Sequence, residues 1–189
     1  MATQTQTPTR PESLAGTRWE IDPAHTSVEF AVKHMKIATV KGRFAELSAT
    51  LAVGSDDLAS ATVAVDIDAA SIDTRSAQRD EHLRSADFFD VANHPRLTFR
   101  SRSVAAKGDG EYRIVGDLTI RGVTRELVLD AEFQGSGRDP WGGTRLGFTA
   151  AGRVDRREFG LTWNAALEAG GFLVGDDVRL TIDAQFVGQ

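Results

Sequence analysis

The chain has 189 residues, 41% hydrophobic and 26% charged, with a net charge of -5 and no cysteine. That length and apolar content suit one sizeable core in one domain. Without cysteine there are no disulfides and no thiol catalysis. Interspersed charges lack the basic stripe of a nucleic-acid-binding domain, and no apolar run approaches the roughly 18 residues that span a bilayer.

The N-terminus, MATQTQTPTRPESLAG, lacks the apolar stretch of a signal peptide. Its Thr, Gln and Pro content predicts a disordered leader over residues 1–16 and a cytoplasmic protein whose domain spans residues 17–189. From Thr17 onward apolar residues recur with period two, the signature of strands with one buried face. Trp19 and Ile21 oppose Arg18, Glu20 and Asp22; after a turn at Pro23–Ala24, Val28, Phe30 and Val32 resume the apolar face. Ile37 to Val53 is too long for one ordinary strand and its parity changes, from Val40, Gly42 and Phe44 to Leu47, Ala49, Leu51 and Val53. A bulge or bend is therefore expected near Ala45. A turn at Gly54–Asp57 leads to Val63, Val65 and Ile67.

The stretch Asp73 to Pro95 does not alternate. A helix starting near Ser76 would align Arg75, Arg79, His82 and Ala86, with Leu83 at the border. Leu83, Phe88 and Phe89 are expected to plug the apolar surface beneath, at the mouth of a pocket or simply at the end of a core. Strands resume with Leu97 and Phe99, then Tyr112, Ile114, Leu118 and Ile120 after a turn at Lys107–Gly110. Arg121–Gly122 predicts a tight hairpin into Leu127, Leu129, Ala131 and Phe133. A Gly-rich connection from Gly135 to Gly143 precedes Leu146, Phe148, Ala150 and Val154. Asp155 to Asp177 is irregular and is expected to form a lid or rim before Val178, Leu180, Ile182 and Phe186.

About eight strands with one apolar face each, and no helices to cover them, must pack as a sandwich or close into a barrel. Closure removes exposed edges. An eight-stranded barrel is either filled by side chains or holds one small ligand. The small inward residues Ala131, Ala150, Gly116 and Gly152 are expected to leave space for an apolar guest.

Several stretches, in this order, resemble the YceI-like, polyisoprenoid-binding family: WEIDPAHTSVEFAVKHM (Trp19 to Met35), VKGRF (Val40 to Phe44), RDEHLRSADFFDVANHP (Arg79 to Pro95), LTFRS (Leu97 to Ser101), GDLTIRGVTRELVL (Gly116 to Leu129) and VDRREFGL (Val154 to Leu161). The resemblance implies an all-β, lipocalin-like, extended antiparallel barrel enclosing a long-chain lipid such as a polyisoprenoid, a quinone-like molecule or a fatty amide. A homodimer is compatible with it.

For such a guest the inward faces supply walls: Phe30, Val32, Phe44, Val65, Ile67, Phe99, Leu118, Ile120, Leu129, Phe148 and Phe186. A guest of roughly forty carbons retaining about 0.3 kcal/mol per heavy atom would bind with about 12 kcal/mol. Arg79 and His82 at the mouth, with His34, are the head-group candidates, since arginine grips phosphate bidentately and protonated histidine donates to it. The four histidines lack zinc-ligand spacing, so neither metal nor cofactor is expected. No nucleophile elbow, phosphate loop or dinucleotide fingerprint is present, and a binding protein is expected rather than an enzyme. Two alternatives stand beside it: an enzyme acting on the lipid through His82 or a carboxylate of Arg79–Glu81, and a haem-binding barrel ligated by one histidine.

Overall fold

A computed structural model describes residue 11 and residues 13–189. In chain order the strands are β1 (Thr17–Ile21), β2 (Ser27–His34), β3 (Ala38–Phe44), β4 (Leu47–Val53), β5 (Ala61–Asp68), β6 (Ile72–Asp73), β7 (Arg96–Gly108), β8 (Glu111–Ile120), β9 (Val123–Arg138), β10 (Thr144–Asp155) and β11 (Val174–Gly188), with a helix α1 (Ala77–Arg84) between β6 and β7. All pairings are antiparallel, and the ring β1-β4-β5-β7-β8-β9-β10-β11 closes through β1 on β11. The result is a closed eight-stranded antiparallel barrel. β2, β3 and β6 are the bent continuations of β1, β4 and β5 at one end of it.

Each bend has a local cause. Pro23 lacks an N–H and stops β1, and the Asp22 carboxylate accepts from Ala24 N at 3.0 Å to cap a short 3-10 turn. Asp57, Asp68 and Asp155 cap three more such turns in the same way, through Ala59 N, Ala70 N and Arg157 N. Between β3 and β4 the expected parity change occurs at Ala45–Glu46. There Ala45 N donates to Ser71 O and Glu46 N to Ser71 Oγ, so this bend leans on the one between β5 and β6. Arg121 and Gly122 both have positive φ, 51° and 73°, as a two-residue hairpin requires.

Three expectations are corrected. The connection from Gly135 is not a loop: β9 continues to Arg138 through a bulge opposite Gly147–Phe148, and the chain turns only over residues 139–143. Gly135, at φ 123°, supplies the bulge geometry. Arg75 and Ala86 fall outside α1, which Ser76 caps, so the expected stripe reduces to Arg79, His82 and Leu83. The domain begins before Thr17: Leu14 is 1% exposed, and the Asp56 carboxylate accepts from Ser13 Oγ, Leu14 N and Ala15 N. A single leucine in a polar stretch has no periodicity to announce it. The rest of the expected leader, residues 1–10 and Glu12, lies outside the described residues.

The core is in two parts. One, at the end where the chain enters the barrel, gathers Leu14, Trp19, Leu58, Tyr112, Phe133, Leu146 and Phe186. The other, beneath α1 and the loop before β11, gathers Phe44, Ile72, Phe88, Ile120, Phe159 and Leu161.

Several surface carboxyls sit below the usual carboxylate range: Asp22 through the His25 ring, Asp56 through Leu14 N–H, Asp73 through Arg75 N–H, Asp139 through Gly143 N–H and Asp155 through the Arg157 guanidinium. With folded values depressed, the unfolded chain takes up protons first. Their stabilisation is present above the unfolded value near pH 4 and disappears as pH falls through the folded values. The urea midpoint is therefore expected to be lower at pH 3 than at pH 7, with a smaller gap in an Asp56→Asn/Asp139→Asn variant. Equal midpoints at both pH values would contradict this linkage.

Candidate ligand-binding lumen

Between the two core clusters the barrel holds a partly open cavity of about 180 Å³ whose lining is almost wholly apolar, with Thr26, Tyr112 and Thr149 as its polar residues. Its origin is side-chain size. Inward positions on five strands carry alanine (Ala49, Ala61, Ala131, Ala150 and Ala184), and all five border the space. The glycines expected to add room do not. A Cβ on Gly116 would meet the Phe99 ring at 2.5 Å, and one on Gly152 would meet Leu129 Cδ2 at 2.7 Å. Larger neighbours already lie over both positions.

Of the wall residues expected from strand parity, Val65, Ile67, Phe99, Leu118, Leu129, Phe148 and Phe186 border the cavity. Phe30, Val32, Phe44 and Ile120 do not. Phe30 and Phe44 pack against each other, tilted by 46° with centroids 5.8 Å apart, Phe89 meets Phe44 edge-on at 5.8 Å, and Ile120 is buried in the cluster below α1. Parity says which side of the wall a residue faces and nothing about its height along the barrel. Walls that the sequence reading left out are Ile21, Val28, Val63, Ile114 and Ile182, whose period-two signal was equally clear.

The helix end is a plug. Phe88 is 6% exposed, and with His82 and Trp163 it forms a cluster whose His82–Trp163 centroids are 4.6 Å apart at 88°. Leu83 and Phe89 pack beside it as partly buried residues. None of the head-group candidates borders the cavity. Arg79 donates from Nε to Thr74 Oγ1 and from Nη2 to Thr74 O, both at 2.7 Å, and the buried Asp80 accepts from Thr74 N and Oγ1. His82 Nε2 lies 2.8 Å from Asp87 Oδ2. His34 is half-buried at the end of β2. Arg79 and His82 thus bind this segment to itself.

The least expected residue is Arg156, 6% exposed. Its guanidinium donates to the carbonyls of Leu161 (2.7 Å), Trp163 (2.9 Å), Gly175 (2.8 Å) and Val174 (3.4 Å), and it pairs with Asp176 at 3.1 Å. Burial pulls its pKa down, against the opposing charges of Asp176 and Asp155. The rim expected over Asp155 to Asp177 is shorter than that: Asp155 ends β10, Arg156–Phe159 form a 3-10 turn and Val174 already starts β11, leaving residues 160–173. Arg156 fastens both ends of this loop, which is also held by the bridge Ala166–Phe172, by Leu173 N donating to Ala165 O, and by the Asn164 side chain on Val174 N and O.

The wall has a seam. β1 pairs with β4 up to Glu20–Thr50, and β2 pairs with β3 from Glu29–Arg43. Between these registers the two chains share no ladder. Ile21, Thr26 and Val28 on one side and Leu47 and Ala49 on the other all border the cavity. Among the described residues no group of three or more His, Asp or Glu is placed to hold a metal ion, and none of the four histidines borders the cavity. Among the described residues no helix is long and apolar enough to cross a membrane.

The family model of the YceI-like domain matches residues 19–186. A UPF0312 protein of Vibrio cholerae serotype O1 is 41% identical over 138 residues, 73% of each chain. Another, from Staphylococcus epidermidis, is 36% identical over 171 residues, 90% of this chain and 97% of its own. The crystal structure of the Campylobacter jejuni YceI protein superposes with a TM-score of 0.68 at 29% identity, covering 82% of this chain and 88% of that one. A polyisoprenoid binding domain from Saccharophagus degradans superposes at 0.67 with 14% identity, covering 90% and 98%, a likeness of fold alone.

Proposed function

Because the chain belongs to the YceI-like domain family, we propose that it is a non-enzymatic cytoplasmic protein that carries or stores a long-chain isoprenoid-like lipid in its lumen. The observation that carries this reading is the apolar cavity between two packed ends of a closed barrel. Such a space stays dry and favours a hydrocarbon guest. The polyisoprenoid binding domain of the same fold supports the lipid class.

Volume narrows the binding mode. A cavity of about 180 Å³ is close to the roughly 150 Å³ apolar cavity that accepts benzene, and below the roughly 300–1,000 Å³ of drug-sized sites. A forty-carbon guest exceeds it, so the lumen takes one stretch of the chain and the remainder leaves through the seam between Ile21–Val28 and Leu47–Ala49. Arg79 and His82, already engaged beyond the plug, are poorly placed to hold a head group on that path.

Native mass spectrometry followed by organic extraction tests the reading. The expected result is an adduct of prenyl or acyl character, or uptake of an added prenyl lipid by protein that purifies bare. A bare mass together with no uptake of added prenyl lipids overturns it, and cell fractionation decides the compartment.

A further inference from the structure

We propose that the rim formed by the β2–β3 hairpin tip and the loop preceding β11 docks the barrel on an anionic lipid bilayer. Among the described residues four large hydrophobic side chains are exposed, and three of them share this rim: Ile37 (82%), Phe172 (62%) and Met35 (40%). The fourth, Trp141, belongs to the turn between β9 and β10 at the opposite end. Met35 N donates to Leu173 O at 2.8 Å, and His34 pairs with Val174, so the tip and the loop are joined in one surface. Single exposed apolar residues need no explanation, whereas a cluster does.

Charge identifies the partner. Lys33, Lys36 and Lys41 are three of the chain's four lysines, and no carboxylate lies between Glu29 and Glu46 in a protein of net charge -5. All three lysines are exposed, and none makes an ion pair among the described residues. The nearby acids are mostly committed: Asp73 to Arg43, Asp176 to Arg156 and Arg157, and Asp177 to Arg153. Glu168 is the one carboxylate within residues 160–173.

Exposed apolar side chains beside three exposed lysines match the boundary between acyl chains and anionic head groups, where a lysine can lay its stem on apolar surface and keep its ammonium group among the head groups. The turn points the same way. Met35 and Lys36 hold φ of 52° and 62°, a geometry for which Asn-Gly is the ordinary choice. The hairpin thus presents a methionine and a lysine where its own conformation favours neither.

The test is flotation of the full chain with vesicles of phosphatidylcholine alone or mixed with phosphatidylglycerol. Binding is expected to the mixed vesicles, to fall with added salt, and to weaken roughly 100-fold in a Lys33→Gln/Lys36→Gln/Lys41→Gln variant. A Met35→Asn/Lys36→Gly/Ile37→Thr/Phe172→Ser variant, whose turn sequence suits the hairpin, is expected to stay folded and lose binding. The proposal is overturned by no binding to mixed vesicles, by equal binding to neutral ones, by either variant binding undiminished, or by a dimer in solution that the second variant dissolves. Vesicle binding reads the rim and not the lumen, so its failure leaves the lipid-carrier reading standing.

Discussion

An Ala150→Phe variant is expected to lose about 100-fold in affinity for geranylgeraniol while unfolding at the same temperature as the parent or higher. Ala150 lies on β10 between Ala131 and Ile182, and all three face the cavity. A phenyl ring there takes the place of guest carbons. Losing roughly four buried methylenes at about 0.8 kcal/mol each corresponds to that loss in affinity. The same ring fills empty apolar space, and recovering cavity volume at about 24 cal/mol per Å³ offsets any strain by up to about 2 kcal/mol. Ala150→Leu is expected to fall between the two. Titration followed by tryptophan fluorescence, beside thermal unfolding, reads both quantities. A folded Ala150→Phe protein with parental affinity would move the binding site out of the lumen.

An Arg156→Met variant is expected to lose about 3 kcal/mol, a drop of roughly 6–12 °C in unfolding temperature for a domain of this size. Methionine matches much of the volume and removes every donor. The carbonyls of Leu161, Trp163 and Gly175 lose this donor, Val174 O keeps its 2.8 Å bond from Asn164 Nδ2, and Asp176 loses one of its cations while keeping Arg157. Arg156→Lys is expected to recover less than half, because an ammonium cannot span the spread of acceptors that a planar fork reaches. Loosening residues 160–173 exposes Trp163, so its fluorescence should shift to the red before the barrel melts. A methionine variant as stable as the parent would mean that the plug holds the rim without the arginine.

The two variants separate the lumen from the structure that caps it. The first alters capacity with the cap intact, and the second loosens the cap with the lumen lining unchanged.

The amino-acid sequence by itself determined the strands, because period-two burial is a property of a few consecutive residues. It also determined the bends, through Pro23, the parity change at Ala45 and the capping aspartates, and the tight turn at Arg121–Gly122. Family resemblance carried by separated motifs added the closed barrel. Tertiary structure alone decided the height of each inward residue: Phe30 and Phe99 share the same inward parity, yet one packs on Phe44 outside the cavity and the other borders it. That height depends on the stagger between strands far apart in sequence. The work of Arg156 was equally hidden, since its acceptors are backbone carbonyls, which every residue carries. Leu14 was hidden because one buried side chain makes no pattern, and the exposure of Ile37 and Phe172 could be decided only once the fold left them without a neighbour to cover them.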